Sequence, residues 1–142
     1  MAIDKATLNK LLEFLELMIL ELKEKKITLE QLEDNHDELY SIEHRIQLAI
    51  ESAINIGEHL VSGLNLGLYD DAKGVFLILG KKRVIDNQLA DNLKNAAGMR
   101  NILVHNYLEI DLQLIQKAAT TDLKDLEEFT KQINTFLQKQ QS

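Results

Sequence analysis

The chain has 142 residues, no cysteine, no proline and a formal net charge of −7. Its length is that of one domain, and without cysteine it has no disulfide framework, thiolate zinc site or cysteine nucleophile. The opening "MAIDKATLNK" is too polar for a signal peptide and no apolar run is long enough for a membrane span; the expected location is the reducing cytoplasm. With no proline to break them, long helices are permitted throughout. Residues 7–22 carry Leu8, Leu11, Leu12, Leu15, Met18, Ile19 and Leu22, a helical spacing. "KEKK" at 23–26 places cations at the end of that helix, where they suit its dipole. "TLEQ" at 28–31 has the form of a capping box and opens a short turn or the next helix.

Residues 38–63 give the strongest helical pattern. Ile42, Ile46, Ala49, Ala53, Ile56 and Leu60 alternate at spacings of four and three, and Ile50, Ile54 and Val61 widen the apolar face. A narrow polar stripe is left: His44, Gln47, Glu51, Asn55, Glu58 and Ser62. Such a helix belongs in the middle of a bundle, with its stripe on solvent or on a cleft. "SGLNLGLYDD" at 62–71 is the main break. A shorter helix follows over 71–83, ending in "LGKKR". "DNQ" at 86–88 caps a further helix running to about residue 107. "LEID" turns into 111–119, "ATTD" at 119–122 offers a new cap, and Leu123, Leu126, Phe129, Ile133, Phe136 and Leu137 mark a last amphipathic helix over 123–138. The pattern predicts a single all-α domain over residues 1–142. It is an up-and-down bundle of about five helices, or six if the last pair is split.

Charge is unevenly spread. Residues 1–71 hold 6 Lys and Arg against 15 Asp and Glu, residues 72–107 hold 6 against 2, and residues 108–142 hold 4 against 6. The acidic total by itself argues against a nucleic-acid binder, DNA included. The one basic segment, with "KKR" at 81–83, Lys94 and Arg100, is either a solvated face or a phosphate-facing surface.

That segment runs into "MRNILVHNYLEID" at 99–111, where four functional side chains interrupt an apolar run. On an ideal helix with Arg100 at 0°, Leu89, Leu93, Ala96, Ala97, Leu103 and Val104 lie within about 60° of it, and Tyr107 is nearly in line. Asn101 and His105 stack at the edge of that face beside Lys94. An arginine in an apolar stripe must be paired or open into a cleft. Pairing with a carboxylate of the polar stripe, such as Glu51, is the structural alternative to a functional role. "AAG" at 96–98 lets something approach closely. Arginine offers a planar fork for phosphate, histidine titrates near neutrality, and asparagine orients either. That set suits RNA cleavage through the 2′-hydroxyl. Arg100 and His105 are about 140° apart around the helix, so they converge only at a helix end, across a groove or through a second chain.

"RNILVHNY" matches the pattern R-x4-H-x-Y of the HEPN superfamily and resembles the HepT-like ribonuclease toxins of HEPN/MNT toxin–antitoxin systems. "IEHRIQLAIESAINIGEHLVS" at 42–62 is similar to the family's long second helix, and "EID" at 109–111 with "DLKDLEEF" at 122–129 to its tail. The resemblance implies a helical homodimer, two motifs facing one cleft, and metal-independent RNA cleavage with no cofactor. It implies that Arg100 holds the scissile phosphate, His105 is the general acid or base, and Asn101 orients them. Tyr107 would be adenylylated by a partner nucleotidyltransferase antitoxin using ATP and Mg²⁺, with Glu51, Asn55 and Lys94 as cleft-lining candidates. Two other readings stand beside it: a non-catalytic helical partner that positions a minimal nucleotidyltransferase, and a plain dimeric scaffold.

Overall fold

A computed structural model of the protein describes residues 3–25, 27–105 and 111–140, with the backbone alone over 101–105. Helix α1 (Lys5–Lys23) is opened by Asp4, whose carboxylate accepts from the Thr7 amide at 3.1 Å and the Thr7 hydroxyl at 2.8 Å. Helix α2 (Leu29–Asp34) is a separate short element, with the Thr28 hydroxyl accepting from the Gln31 amide as the capping pattern predicts. The long α3 (His36–Gly63) begins two residues before the apolar pattern does, because the Asn35 side chain accepts from the Glu38 amide. Asp71 caps α4 (Ala72–Lys81) and Asp86 caps α5 (Asn87–His105). Both α3 and α4 end with a left-handed residue, Asn65 at φ 54° and Arg83 at φ 60°. Past each, the chain turns back to donate into the last helical turn: Leu66 to Val61, and Val84 to Leu79.

The tail departs from expectation. "ATTD" does not start a new helix. Residues 118–122 form one π-helical turn that joins α6 (Leu112–Lys117) to α7 (Leu123–Gln140), with no side-chain cap between them. The Thr120 hydroxyl instead donates back to the Gln116 carbonyl at 2.7 Å, satisfying its own oxygen inside a continuing helix. The element missing from a five-helix reading is α2. No strand occurs among the described residues.

Helix α3 is the axis. Ile42, Ala49, Ala53, Ile56 and Leu60 are fully buried, and the predicted line of His44, Asn55 and Ser62 is exposed, with Gln47, Glu51 and Glu58 half-buried beside it. Two polar residues go inward with it. The Ser52 hydroxyl donates to the Leu11 carbonyl of α1 at 2.9 Å. Glu43 stands on the same flank as Ile50, Ile54 and Val61 and is 8 % exposed; burial pushes its carboxyl above the usual range, with His44 opposing. Helix α4 comes close enough to its neighbours to need glycine. A Cβ on Gly57 would lie 2.6 Å from Val75, and one on Gly80 would lie 2.7 Å from the Cβ of Ala90. Phe76 of α4 meets Phe129 of α7 edge to face, ring centroids 5.9 Å apart, which closes the core on the far side. The "KEKK" cations tie helices together: Lys23 pairs with Glu127 of α7 and Lys25 with Glu38 of α3.

Two outcomes are expected. Gly80→Ala meets an alanine Cβ that has no rotamer to yield, so α4 and α5 must part. A loss of roughly 1–3 kcal/mol is expected in urea unfolding. Glu43→Gln is expected to raise Tm at neutral pH, because the folded protein no longer holds a desolvated carboxylate. Since the folded carboxyl titrates above the unfolded one, the wild type recovers this difference as pH falls through the raised pKa towards the ordinary one. Thermal melts of both proteins from pH 7 to pH 4 check the convergence.

Candidate active site

Helix α5 turns one face to the core through Leu89, Leu93, Ala96 and Ala97, all nearly inaccessible. Arg100 continues that stripe by one turn. Its side chain is 22 % exposed and its Nη1 donates to Glu51 Oε1 of α3 at 2.8 Å. The polar stripe of α3 and the apolar stripe of α5 therefore meet at one ion pair. Both groups are desolvated on one side and reachable from the other. Asn55 stands one turn further along α3 and is exposed.

The small residues at 96–98 also have their reason. Ala96 and Ala97 are buried against the bundle, whereas Gly98 faces Lys73 of α4, whose Cε would be 3.3 Å from an added Cβ. Lys73 thus crosses α5 at Gly98 and enters a groove of about 400 Å³. Lys94 lines this groove, together with Lys117 of α6 and Asp122 of the π turn. Burial pushes the Asp122 carboxyl up, partly offset by Lys117. Lys94 therefore opens onto a different flank of α5 from the Glu51–Arg100 pair.

The basic segment divides in two. "KKR" at 81–83 lies before the first turn of α5, about 20 Å of helix rise from Arg100. Arg83 lines a separate groove against α7, with Asp86 and Gln132. Asp86 is held there as the carboxylate by the Leu89 amide and the Gln132 side chain, which keep its pKa low. The side chains of Asn101 and His105, and all of Tyr107, lie outside the described residues; the backbone carries α5 through position 105. Lys73, Lys117 and Asp122 were not singled out by the sequence. The signal for Lys73 was the glycine at 98.

The fold is one already known. The chain superposes on a cytosolic protein of Bacillus subtilis, YutE, with a TM-score of 0.86 at 21% identity, covering 99% of this chain and 95% of that one. It also superposes on the tri-AMPylated HEPN toxin of Shewanella oneidensis, solved in complex with an MNT antitoxin. There the TM-score is 0.82 at 25% identity, over 90% of this chain and 96% of that one. Residues 7–133 match the family described as Ribonuclease HepT-like, and the chain belongs to that family. It is 30% identical over 115 residues to the tRNA nuclease HepT of Aphanizomenon flos-aquae, covering 81% of this chain and 78% of that protein. It is 33% identical over 84 residues to the mRNA nuclease HepT of Shewanella oneidensis, covering 59% of this chain and 63% of that protein, just under two thirds of its length.

The ion pair has a measurable signature. In a double-mutant cycle of Glu51→Ala and Arg100→Ala, the coupling in unfolding free energy is expected near 1 kcal/mol, at the upper end for pairs that keep contact with water. Coupling indistinguishable from zero would mean that the two residues do not hold each other in solution.

Proposed function

We propose that this chain is a ribonuclease toxin that cuts RNA with Arg100 and His105, in a cleft shared by two copies of the chain, and is silenced by a nucleotidyltransferase antitoxin. Membership of the HepT-like family supports the activity class. The observation that carries the residue assignment is the placement of Arg100. The motif arginine lies in line with a buried stripe, pairs with Glu51 at 2.8 Å, and remains partly open to solvent. A guanidinium so held is oriented before the substrate arrives, and orientation in advance is what makes a charge clamp effective in the transition state.

The chemistry follows from the groups. The ribose 2′-hydroxyl oxygen attacks the adjacent phosphorus, its proton passing to a general base. The P–O5′ bond breaks and the departing oxygen takes a proton from a general acid. The products are a 2′,3′-cyclic phosphate and a 5′-hydroxyl. Histidine is the side chain suited to giving or taking a proton near neutral pH, and His105 is assigned either transfer. In a homodimer two copies of it are available, one for each step, which also answers the wide angular offset between Arg100 and His105 on one helix. Arg100 stabilises the charge that gathers on the non-bridging oxygens. Asn101 orients the reacting groups, and Asn55 lines the same mouth. No cofactor enters the scheme.

Control falls to Tyr107. Its hydroxyl oxygen attacks the α-phosphorus of ATP bound with Mg²⁺ to the antitoxin, pyrophosphate leaves, and AMP stays on the ring. The added phosphodiester charge competes with RNA for Arg100 and repels the incoming backbone.

Purified protein is expected to cleave RNA in the presence of EDTA and to leave cyclic phosphate ends, visible by end-labelling. Arg100→Ala and His105→Ala should each lose roughly a hundredfold or more in rate. Activity that depends on Mg²⁺ or survives His105→Ala would overturn the mechanism. Binding to a nucleotidyltransferase with no cleavage by the wild type would leave a non-catalytic partner instead. Intact mass after incubation with the cognate nucleotidyltransferase and ATP–Mg²⁺ tests the control step. The wild type gains AMP and Tyr107→Phe does not; equal gain by both would return Tyr107 to a packing role.

A further inference from the structure

The groove on the flank of α5 opposite the core has no part in the chemistry just described. Three of its lining residues are lysines from three different helices: Lys73 of α4, Lys94 of α5 and Lys117 of α6. Chain topology, not a run of basic sequence, assembles them. They converge although the whole chain carries −7. Among the described residues one carboxyl shares the groove, that of Asp122, with Lys117 as its opposing cation. Gly98 leaves room for Lys73, whose Cε would lie 3.3 Å and Nζ 3.6 Å from a Cβ added there.

The groove also has a direction. Positions 94, 98, 101 and 105 are spaced four, three and four apart, so they form one line along the backbone of α5. Lys94 and Gly98 belong to the groove and positions 101 and 105 to the motif. From 98 to 105 the helix rises about 10 Å. That is a short step along a single nucleic-acid strand.

We propose that the Lys73–Lys94–Lys117 groove holds the RNA backbone at a phosphate flanking the scissile one, and so sets the path of the strand into the Arg100–His105 centre. The proposal rests on the ribonuclease reading of the motif. Lysine is a point charge on a flexible stem, so the groove grips phosphate without reading the base, and grip of this kind is released by salt. Its volume of about 400 Å³ exceeds what one ion needs and accommodates a backbone segment with its ribose. Asp122 opposes the phosphate and limits the grip, which favours release of the product strand.

Binding, not cleavage, provides the test. Fluorescent single-stranded RNA is titrated with the full-length His105→Ala protein over a range of salt concentrations, in backgrounds Lys73→Gln, Lys94→Gln and Lys117→Gln, singly and together. Each lost phosphate contact is expected to reduce the slope of log K against log salt by about 0.7, and the triple variant to bind at least about tenfold more weakly at physiological salt. Asp122→Asn is expected to shift affinity the other way. Lys10→Gln, an exposed change on α1, controls for net charge, and circular dichroism confirms folding of each variant.

If the triple variant keeps the wild-type slope, or loses no more than Lys10→Gln does, the groove does not hold RNA. If it binds RNA normally but no longer binds the cognate nucleotidyltransferase, the groove is a protein contact and the proposal is wrong. Competition by free ATP that is lost with the lysines, while RNA binding is retained, would assign the groove to a nucleotide and also overturn it. The two readings fail separately. Wild-type protein that binds RNA through the lysines but never cuts it refutes the ribonuclease and leaves the groove standing. Wild-type protein that cuts RNA with the lysines silent refutes the groove alone.

Discussion

A helix buried on all but one narrow line sets the conditions for everything else in this molecule. Burial of Ile42, Ala49, Ala53, Ile56 and Leu60 leaves α3 one line for polar side chains, and Glu51 stands at its middle. A neighbour packed against α3 at that line can place a charged group beside the core. Arg100 does so, and the 2.8 Å pair with Glu51 is the result. Partial burial gives the pair its character. Fully inside, it would carry a desolvation cost that geometry barely repays; fully outside, it would be screened and mobile. At the boundary it holds the guanidinium against Glu51 with part of the side chain still in contact with solvent.

The approach of α5 to α3 is set in turn by α4. Gly57 and Gly80 let α4 settle against both helices at distances that a methyl group would prevent. Phe76 against Phe129 anchors the same helix to α7. The groove beside α5 is built by this packing as well, since Lys73 comes from the first turn of α4 and can lie across α5 only because the two helices are so close.

Local signals in the sequence proved legible where local physics governs. Apolar spacing located α1, α3, α5 and α7, and Thr28, Asp71 and Asp86 cap the helices that their positions suggested. The helical wheel placed Arg100 on the buried side of α5 by periodicity alone, and the pairing with Glu51, offered there as the structural alternative to a functional role, is present. Non-local features were hidden. Nothing near Lys73 or Lys117 shows that helices far apart in sequence bring them to Lys94; that depends on crossing geometry. Glu43 and Ser52 fall outside the polar stripe of α3, and the sequence does not show that the cover over that helix is wide enough to bury them. "KKR" looked continuous with the motif because it is near in sequence, but a straight helix holds it about 20 Å away. "ATTD" has the residue types of a cap, and the choice between a cap and a wide helical turn was made by packing around Ala118 and Ala119, both buried.

That wide turn gives the tail an unusual tolerance. A π-helical turn accommodates one residue more than an α-helical turn of the same rise, so the chain from 112 to 140 carries an extra residue without a break. Removing one residue there would close the wide turn to an ordinary α-helical one, so α7 would keep the face that carries Phe129 and Ile133 against the core. Chains of this architecture can therefore differ by one residue across 118–122 without changing which face of the last helix meets the bundle.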